Sequence, residues 1–522
     1  MEIYNENDLK LIQNNMDIIK TASLKRKEEL LGTDKQPEVT ISEEKSESKS
    51  EKTAKLKCSN IQDQNKTQDE ITENEKKCKE GKIIEEIVLQ YTRDKHLKIY
   101  GGVALNMYIN EKNPSDAFYS DKEVHDVEFY SPDPIKDLLN LCNILYDKGY
   151  TNVVGKEALH SETYKIRVNG IGYCDISYVP KNIYFRMPFK VLNGLYLINT
   201  NFMTIDYLRM LNDPIISYWR LEKAVSRFYL LQKYYPLPHI EEKLYIPTTK
   251  HDDTTTALMN ETISFLKNKK SIIMCGFYTY NYLLEQSGIL KSDKKYFAPI
   301  ELPYYEFISS DYNTDAGDLV KLLKEKHPET GDKIKLIEYY PFFQFYGYNG
   351  IITYNDTIIA KIYDNNKKCN PYMSAITKTK STIQMSTCML ELAMCLIMVM
   401  KARVDRNNDM SNLYYTMCSH LIEMRRYFLD NTKKTIFDNT PFKDFIIDCS
   451  GKTVTPQKEK ELLKESRKKQ GKRGSFRYSP ADGKQEEIHL VFANSSGNII
   501  RNTKNLQILD TKTNTKTTTS KT

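Results

Sequence analysis

The stretch KIYGGVALNMYIN, Lys98 to Asn110, sets two glycines between a strand-like KIY and a helix-like VALNMYI. Glycine has no Cβ, so Gly101 and Gly102 permit a tight turn and a close approach of backbone to a ligand. A helix beginning at Val103 points its free N–H groups and positive dipole end at that turn, which suits a phosphate. The pair alone fits a purely structural strand-to-helix turn at least as well. Residues downstream decide between the two.

Beyond the turn, short strands and helices alternate. HDVEFYS, His125 to Ser131, has the period of a strand. Asp133 and Pro134 then supply an N-cap and a first-turn proline for PIKDLLNLCNILYDK, which Gly149 closes. TYKIRV and IGYCDISYV follow, joined at Asn169-Gly170, a strong hairpin signal. Asp126 and Glu128 are two apart on one strand and so share a face, and the second hairpin strand carries Asp175. Taken singly, these acids read as solvated strand positions. Converging beside the Gly-Gly turn, they would repel one another unless divalent ions relieved the charge, and hard oxygen ligands of this kind favour Mg²⁺ or Mn²⁺. Two such metals beside a phosphate-holding turn make a site for nucleotidyl transfer.

The order GGVALN, DVEFYS, CDISYV resembles the nucleotidyltransferase superfamily that includes DNA polymerase beta. Within it, the chain is most similar to the poly(A) polymerase catalytic subunits of large DNA viruses, the poxvirus, asfarvirus and giant-virus group, over roughly residues 85 to 445. The resemblance implies template-independent addition of AMP, from ATP as substrate, to RNA 3′ ends. It assigns Asp126, Glu128 and Asp175 as catalytic and metal-holding residues, and Gly101 and Gly102 as the triphosphate turn. It also implies a place in the host cytoplasm, at the virus factory, and in the virion. Some relatives work with a separate processivity subunit and others are dimers; a homodimer is expected here. The chain lacks the serine that many superfamily members carry in the turn, and 24 residues separate Gly102 from Asp126.

A second, degraded copy of the unit lies downstream. SIIMCGFYTYNYLLEQ, from Ser271, follows LKIYGGVALNMYINEK and sets Gly276 at the place of Gly102. PYYEFISSD parallels HDVEFYSPD, with Tyr304 for Asp126 and Glu306 for Glu128. NDTIIAKIYD lies on NGIGYCDISY, with Lys361 for Asp175. A tyrosine and a lysine cannot hold the metals that two aspartates can, so this copy reads as inactive.

Composition bounds the rest. The 522 residues are 40% hydrophobic and include 37 tyrosines, enough for two or three domains with real cores. The ten cysteines are scattered, with no CxxC pair, so neither a zinc site nor a disulfide framework is expected. That spacing, and an N-terminus without the pattern of a signal peptide, read as a soluble intracellular protein. LAMCLIMVM, Leu392 to Met400, is too short to span a bilayer and reads as a buried helix. Residues 451–522 hold 16 Lys and Arg against 7 Asp and Glu, so the +7 net charge resides in the tail. That tail either tracks a phosphate backbone or is a solvated charge run. On SYWRLEKAVSRF, Arg220, Lys223 and Arg227 share one face. A solvated basic face explains them, but Lys223 and Arg227 are also candidates to bind the nucleotide.

The expected organisation is α+β: an N-terminal helical segment (1–32), a disordered insert (33–81), a polymerase-beta-like catalytic domain (82–200) and a helical middle region (201–264). A degenerate nucleotidyltransferase-like domain with C-terminal helices (265–450) and a largely disordered basic tail (451–522) complete it. The rival functions are transfer to a protein or small molecule, and an inactive RNA-binding scaffold.

Overall fold

The structure, a computed structural model, describes residues 1–31, 68–120, 123–246, 251–267, 269–365, 367–376, 382–471, 474–483 and 495–503. The chain opens with α1 (Glu6–Asn14) and α2 (Met16–Leu31) and continues from α3 (Gln68–Asp94). The first unit comprises β1 (Lys98–Tyr100), α4 (Gly101–Lys112), β2 (Val127–Ser131), α5 (Pro134–Asp147), β3 (Val153–Glu157), β4 (Thr163–Val168), β5 (Ile171–Tyr178), β6 (Phe189–Leu192) and β7 (Leu195–Ile198). α6 (Thr200–Leu211), α7 (Leu221–Tyr234) and α8 (Asp253–Leu266) lead to the second. That unit comprises β8 (Ile272–Cys275), α9 (Phe277–Ser287), β9 (Tyr305–Ser309), α10 (Tyr312–Lys326), β10 (Ile334–Tyr339), β11 (Asn349–Tyr354), β12 (Thr357–Asp364), β13 (Asn370–Ile376) and β14 (Thr382–Ser386). α11 (Cys388–Val404) and α12 (Asn408–Asn431) follow, and then β15 (Cys449–Ser450), α13 (Pro456–Lys469), β16 (Arg477–Tyr478) and β17 (Ile499–Thr503).

The two units share one topology. The first sheet runs β3-β4-β5-β2-β1-β7-β6 and the second β10-β11-β12-β9-β8-β14-β13. Even an irregularity is common to both. In each hairpin the register slips by one residue, between Ile166 and Arg167 in the first and between Ile352 and Thr353 in the second. Ser131 bonds Asp137 at the head of α5, and Ser309 Oγ donates to Asp315 Oδ2 at 2.6 Å at the head of α10. Chance likeness in a tyrosine-rich chain does not reproduce a bulge.

One detail of the expected alignment is corrected. Cys275 lies opposite Glu306 as Tyr100 lies opposite Glu128, so Gly276 takes the place of Gly101 rather than Gly102. Strand register, not the glycine count, sets the correspondence, and Phe277 stands where the first unit has Gly102.

Three further expectations change. Of the expected disordered insert, residues 33–67 lie outside the described residues, but Gln68 onward is helical. α3 extends backward from the turns that bury Ile84, Val88 and Tyr91, and Cys78 on the same helix is also buried. The basic tail is partly ordered. β16 pairs antiparallel with β3 and β17 with β10, so the tail covers the corresponding edge of both sheets. Third, Cys369 and Cys449 form a disulfide. Eighty residues separate them, and it is the pairing of β13 with β15 that brings them together, which spacing alone does not reveal.

α11 carries the apolar run and is buried along nearly its whole length, as expected. Among the described residues no helix is long and apolar enough to cross a membrane. The packed helices also hold the N-terminus. Arg425 on α12 is 2% exposed, pairs with Asp444 at 2.7 Å and donates to the Ile3 carbonyl at 2.8 Å. Arg425→Met strands the Asp444 carboxylate without its partner. Urea melts should show a loss of about 3–5 kcal/mol.

Candidate active site

The site is built where β1, β2 and β5 lie side by side. β1 ends at Tyr100 directly opposite Glu128, and the chain then turns at Gly101, whose φ is +70°. A Cβ at Gly101 would lie 1.8 Å from Glu128 Oε2, and one at Gly102 would lie 2.3 Å from the Tyr119 hydroxyl and 3.0 Å from Arg227 Nη1. A side chain at either position would therefore force these groups to shift. The first admits the carboxylate, and the second leaves room for a phenol and a guanidinium at the helix N-terminus. α4 begins at Gly101 itself, and the Gly102 N–H donates to Glu128 Oε2 at 3.1 Å.

The acids come together as expected. Glu128 and Asp175 are directly opposite across the parallel pair β2 and β5, and Asp126 sits just before β2. Between the two aspartates lies a residue that the sequence reading passed over. Lys165 Nζ is 3.1 Å from Asp126 Oδ2 and 3.3 Å from Asp175 Oδ2. Burial works against its charge, but the two aspartates outweigh that and hold the ammonium well above the ordinary lysine range. Burial, reinforced by Asp126, pushes Glu128 up, against the Gly102 N–H and the cations Arg220 and Arg227. Burial and Asp126 likewise raise Asp175, against Lys165. One ammonium thus serves two aspartates, and the Oδ1 atoms of Asp126 and Asp175 are buried without a hydrogen-bond partner.

Those orphaned oxygens fit a cation. Among the described residues no three His, Cys, Asp or Glu side chains already close on one point; Lys165 bridges Asp126 and Asp175, and the turn N–H engages Glu128. The donor set is all hard oxygen, which suits a divalent ion of the Mg²⁺ or Mn²⁺ kind.

Of the two basic candidates, Arg227 reaches the turn. Its guanidinium lies 4.2 Å from the Phe118 ring centroid and bonds the Tyr119 hydroxyl at 3.1 Å. His125 stacks on Tyr119 at 4.0 Å and so steadies that partner. Lys223 is exposed on α7, and the cation beside Arg227 that acts on Glu128 is Arg220.

The second unit shows the same frame filled in. Gly276 has φ +67°, and its Cβ would lie 1.9 Å from Glu306 Oε2. Lys361 Nζ donates to the Tyr304 hydroxyl at 2.7 Å and lies 3.5 Å from Glu306. The Phe277 ring packs 5.6 Å from that of Tyr304. Glu391 of α11 accepts from the Gly276 N–H at 2.9 Å, and burial pushes its carboxyl up to about 8. A carboxyl raised in the folded state favours the protein below its unfolded value near 4.5, and that advantage fades as pH rises towards 8. Glu391→Gln should therefore gain on the native protein across that window, by at most about 1.4 kcal/mol per pH unit. Chemical melts at several pH values check it.

A two-glycine turn opening a helix beside acids on adjoining parallel strands defines a nucleotidyltransferase. Residues 86–217 match the family model for the poly(A) polymerase catalytic subunit, and residues 230–510 match that for the C-terminal region of the mimivirus subunit. A poly(A) polymerase catalytic subunit of Acanthamoeba polyphaga mimivirus is 34% identical over 452 residues, covering 81% of this chain and 77% of its own. One from African swine fever virus is 26% identical over 323 residues, covering 60% of this chain and 61% of its own. The crystal structure of the Megavirus polyadenylate synthase superposes with a TM-score of 0.75 at 31% identity, covering 96% of this chain and 93% of that one. The chain belongs to the viral poly(A) polymerase catalytic subunit family.

Proposed function

We propose that this chain extends RNA 3′ ends with AMP from ATP, without a template, at the site formed by Asp126, Glu128 and Asp175. The observation that carries the reading is the pair of orphaned Oδ1 atoms, set across the sheet from the Gly101–Gly102 turn. Asp126 and Glu128 would hold both divalent ions, Mg²⁺ or Mn²⁺, and Asp175 would join them beside the RNA 3′-hydroxyl. When bound, such ions lower the pKa of the attacking hydroxyl and screen the triphosphate. The turn amides and Arg227 orient the triphosphate, with Arg220 adding positive charge. The 3′-hydroxyl gives its proton to solvent, and its oxygen bonds the α-phosphorus as the bond to the departing pyrophosphate breaks.

The second unit is inactive in this reading and serves folding, RNA binding or assembly. A homodimer is the proposed assembly. Among the described residues β6 is an open sheet edge, with Phe189 48% and Val191 50% exposed and Phe185 exposed nearby, whereas the corresponding edge strand β13 is covered by β15. A separate processivity subunit would suit the same edge, and light scattering distinguishes a dimer from a monomer awaiting one. The host cytoplasm, and the virion with it, are the proposed locations.

Primer extension tests the activity, using a 5′-labelled RNA and each NTP separately with Mg²⁺ or Mn²⁺. A ladder with ATP is expected. Labelling of protein or small molecules without RNA extension would favour another nucleotidyltransferase, and RNA binding with no transfer would favour a scaffold.

A further inference from the structure

The acids of the site belong to a longer row. Across the first sheet Glu128 lies opposite Asp175, Asp175 opposite Lys165, Lys165 opposite Lys156, and Lys156 opposite Arg477 of the tail strand β16. Residues paired directly across strands share a face. Three cations therefore follow the last catalytic acid in single file to the sheet edge. The row spans roughly 14 Å from Asp175 to Arg477, at about 4.8 Å per strand.

The other face of these strands is closed. Gly155 packs against Leu138 and Cys142 of α5, so that its Cβ would lie 2.4 Å from Leu138. Phe476 sits edge-on to Tyr164, and the Tyr478 hydroxyl donates to Asn143 of α5 at 2.5 Å. Phe476 and Tyr478 anchor the tail strand on the helix side, and Arg477 between them is left exposed on the side of the acids. The strand is also held from its approach. Arg467 of α13 pairs with Glu157 at 2.6 Å, and Glu459 at the other end of that helix pairs with Lys367 at 3.3 Å. α13 buries none of its residues and ends in Arg467, Lys468 and Lys469. The basic tail is thus docked so that one of its cations continues a line that starts at the catalytic acids.

We propose that Lys156 and Arg477, with Lys165 at the inner end, form the track that binds the phosphates of the RNA strand just upstream of its 3′ end. A flexible single strand with its hydroxyl at Asp175 must leave the site in some direction, and this row gives it regularly spaced cations on the sheet face opposite α5. The inference rests on the proposed activity, because it takes RNA as the occupant and Asp175 as the end of the track.

The test is the salt dependence of RNA binding, which needs no catalysis. Anisotropy of a labelled RNA is followed against salt for the native protein, for Lys156→Gln/Arg477→Gln, and for Lys181→Gln/Arg186→Gln, an exposed pair off the row with the same charge change. Each lost phosphate contact lowers the slope of log K on log salt by about 0.7 for a single strand. The row variant should lose about 1.4 from the slope and raise the KM for RNA about tenfold, with KM for ATP unchanged. The control pair should lose little. A row variant whose slope matches the control overturns the proposal, as does a native protein that does not bind RNA. Should the double variant fail to fold, Arg477→Gln alone must lower the slope by about 0.7, because β16 pairs through its backbone; an unchanged slope overturns the track. A native protein that binds RNA with this pattern but adds no AMP sinks the proposed activity and leaves the track standing.

Discussion

Asp175→Asn lowers AMP transfer by about 10³-fold, roughly 4 kcal/mol of transition-state stabilisation, while the protein melts at the native temperature or above. The two halves of that result have one cause. Lys165 is shared by Asp126 and Asp175, and each of these keeps a buried oxygen without a partner. Removing the Asp175 charge relieves its repulsion with Asp126 and Glu128, and burial already makes Asp175 and Glu128 costly to ionise. It also removes the oxygen that would complete the metal set beside the RNA hydroxyl. A structural aspartate would behave in the opposite way, losing stability along with its ion pair. Single-turnover extension and thermal melts on the same preparation separate the two.

Gly101→Ala has the second large effect. An alanine there must take φ near +70°, which costs about 1–2 kcal/mol, and its methyl group falls on Glu128 Oε2. Relief requires the turn to open or the carboxylate to move, and Glu128 is fixed by the turn amide. We expect a loss of about 2–4 kcal/mol in stability and at least a tenfold loss of activity. Gly276→Ala supplies the comparison. Its φ of +67° and its 1.9 Å approach to Glu306 repeat the strain in the unit to which the proposed function assigns no chemistry. Stability should fall by a similar amount, and the rate of the molecules that remain folded should be close to native. Urea melts with activity normalised to the folded fraction check both.

Much of this was legible in the sequence, and the exceptions have physical reasons. The strands that carry the acids were readable because glycine pairs, alternating acids and an Asn-Gly turn are local signals. Lys165 was not readable. Counting back from Asn169-Gly170 in an unbroken hairpin puts Tyr164 opposite Asp175, and the bulge near Arg167 moves Lys165 there instead. Gly276 was aligned one position off for a similar reason, since the partner strand fixes register and the glycine count does not. The covering of two sheet edges by the tail depends on long-range pairing of a segment whose composition reads as solvent-exposed. The choice between Arg220 and Lys223 turned on the rotation of α7 against the turn, which three basic residues on one face leave open.

The central claim is that chemistry occurs at the first set of acids and not at the second. The direct measurement is extension of a 5′-labelled RNA with ATP by the native protein, Asp126→Asn and Glu306→Gln, side by side. The account predicts a ladder from the native protein and from Glu306→Gln, and none from a folded Asp126→Asn. A ladder that survives Asp126→Asn and is lost in Glu306→Gln would contradict it.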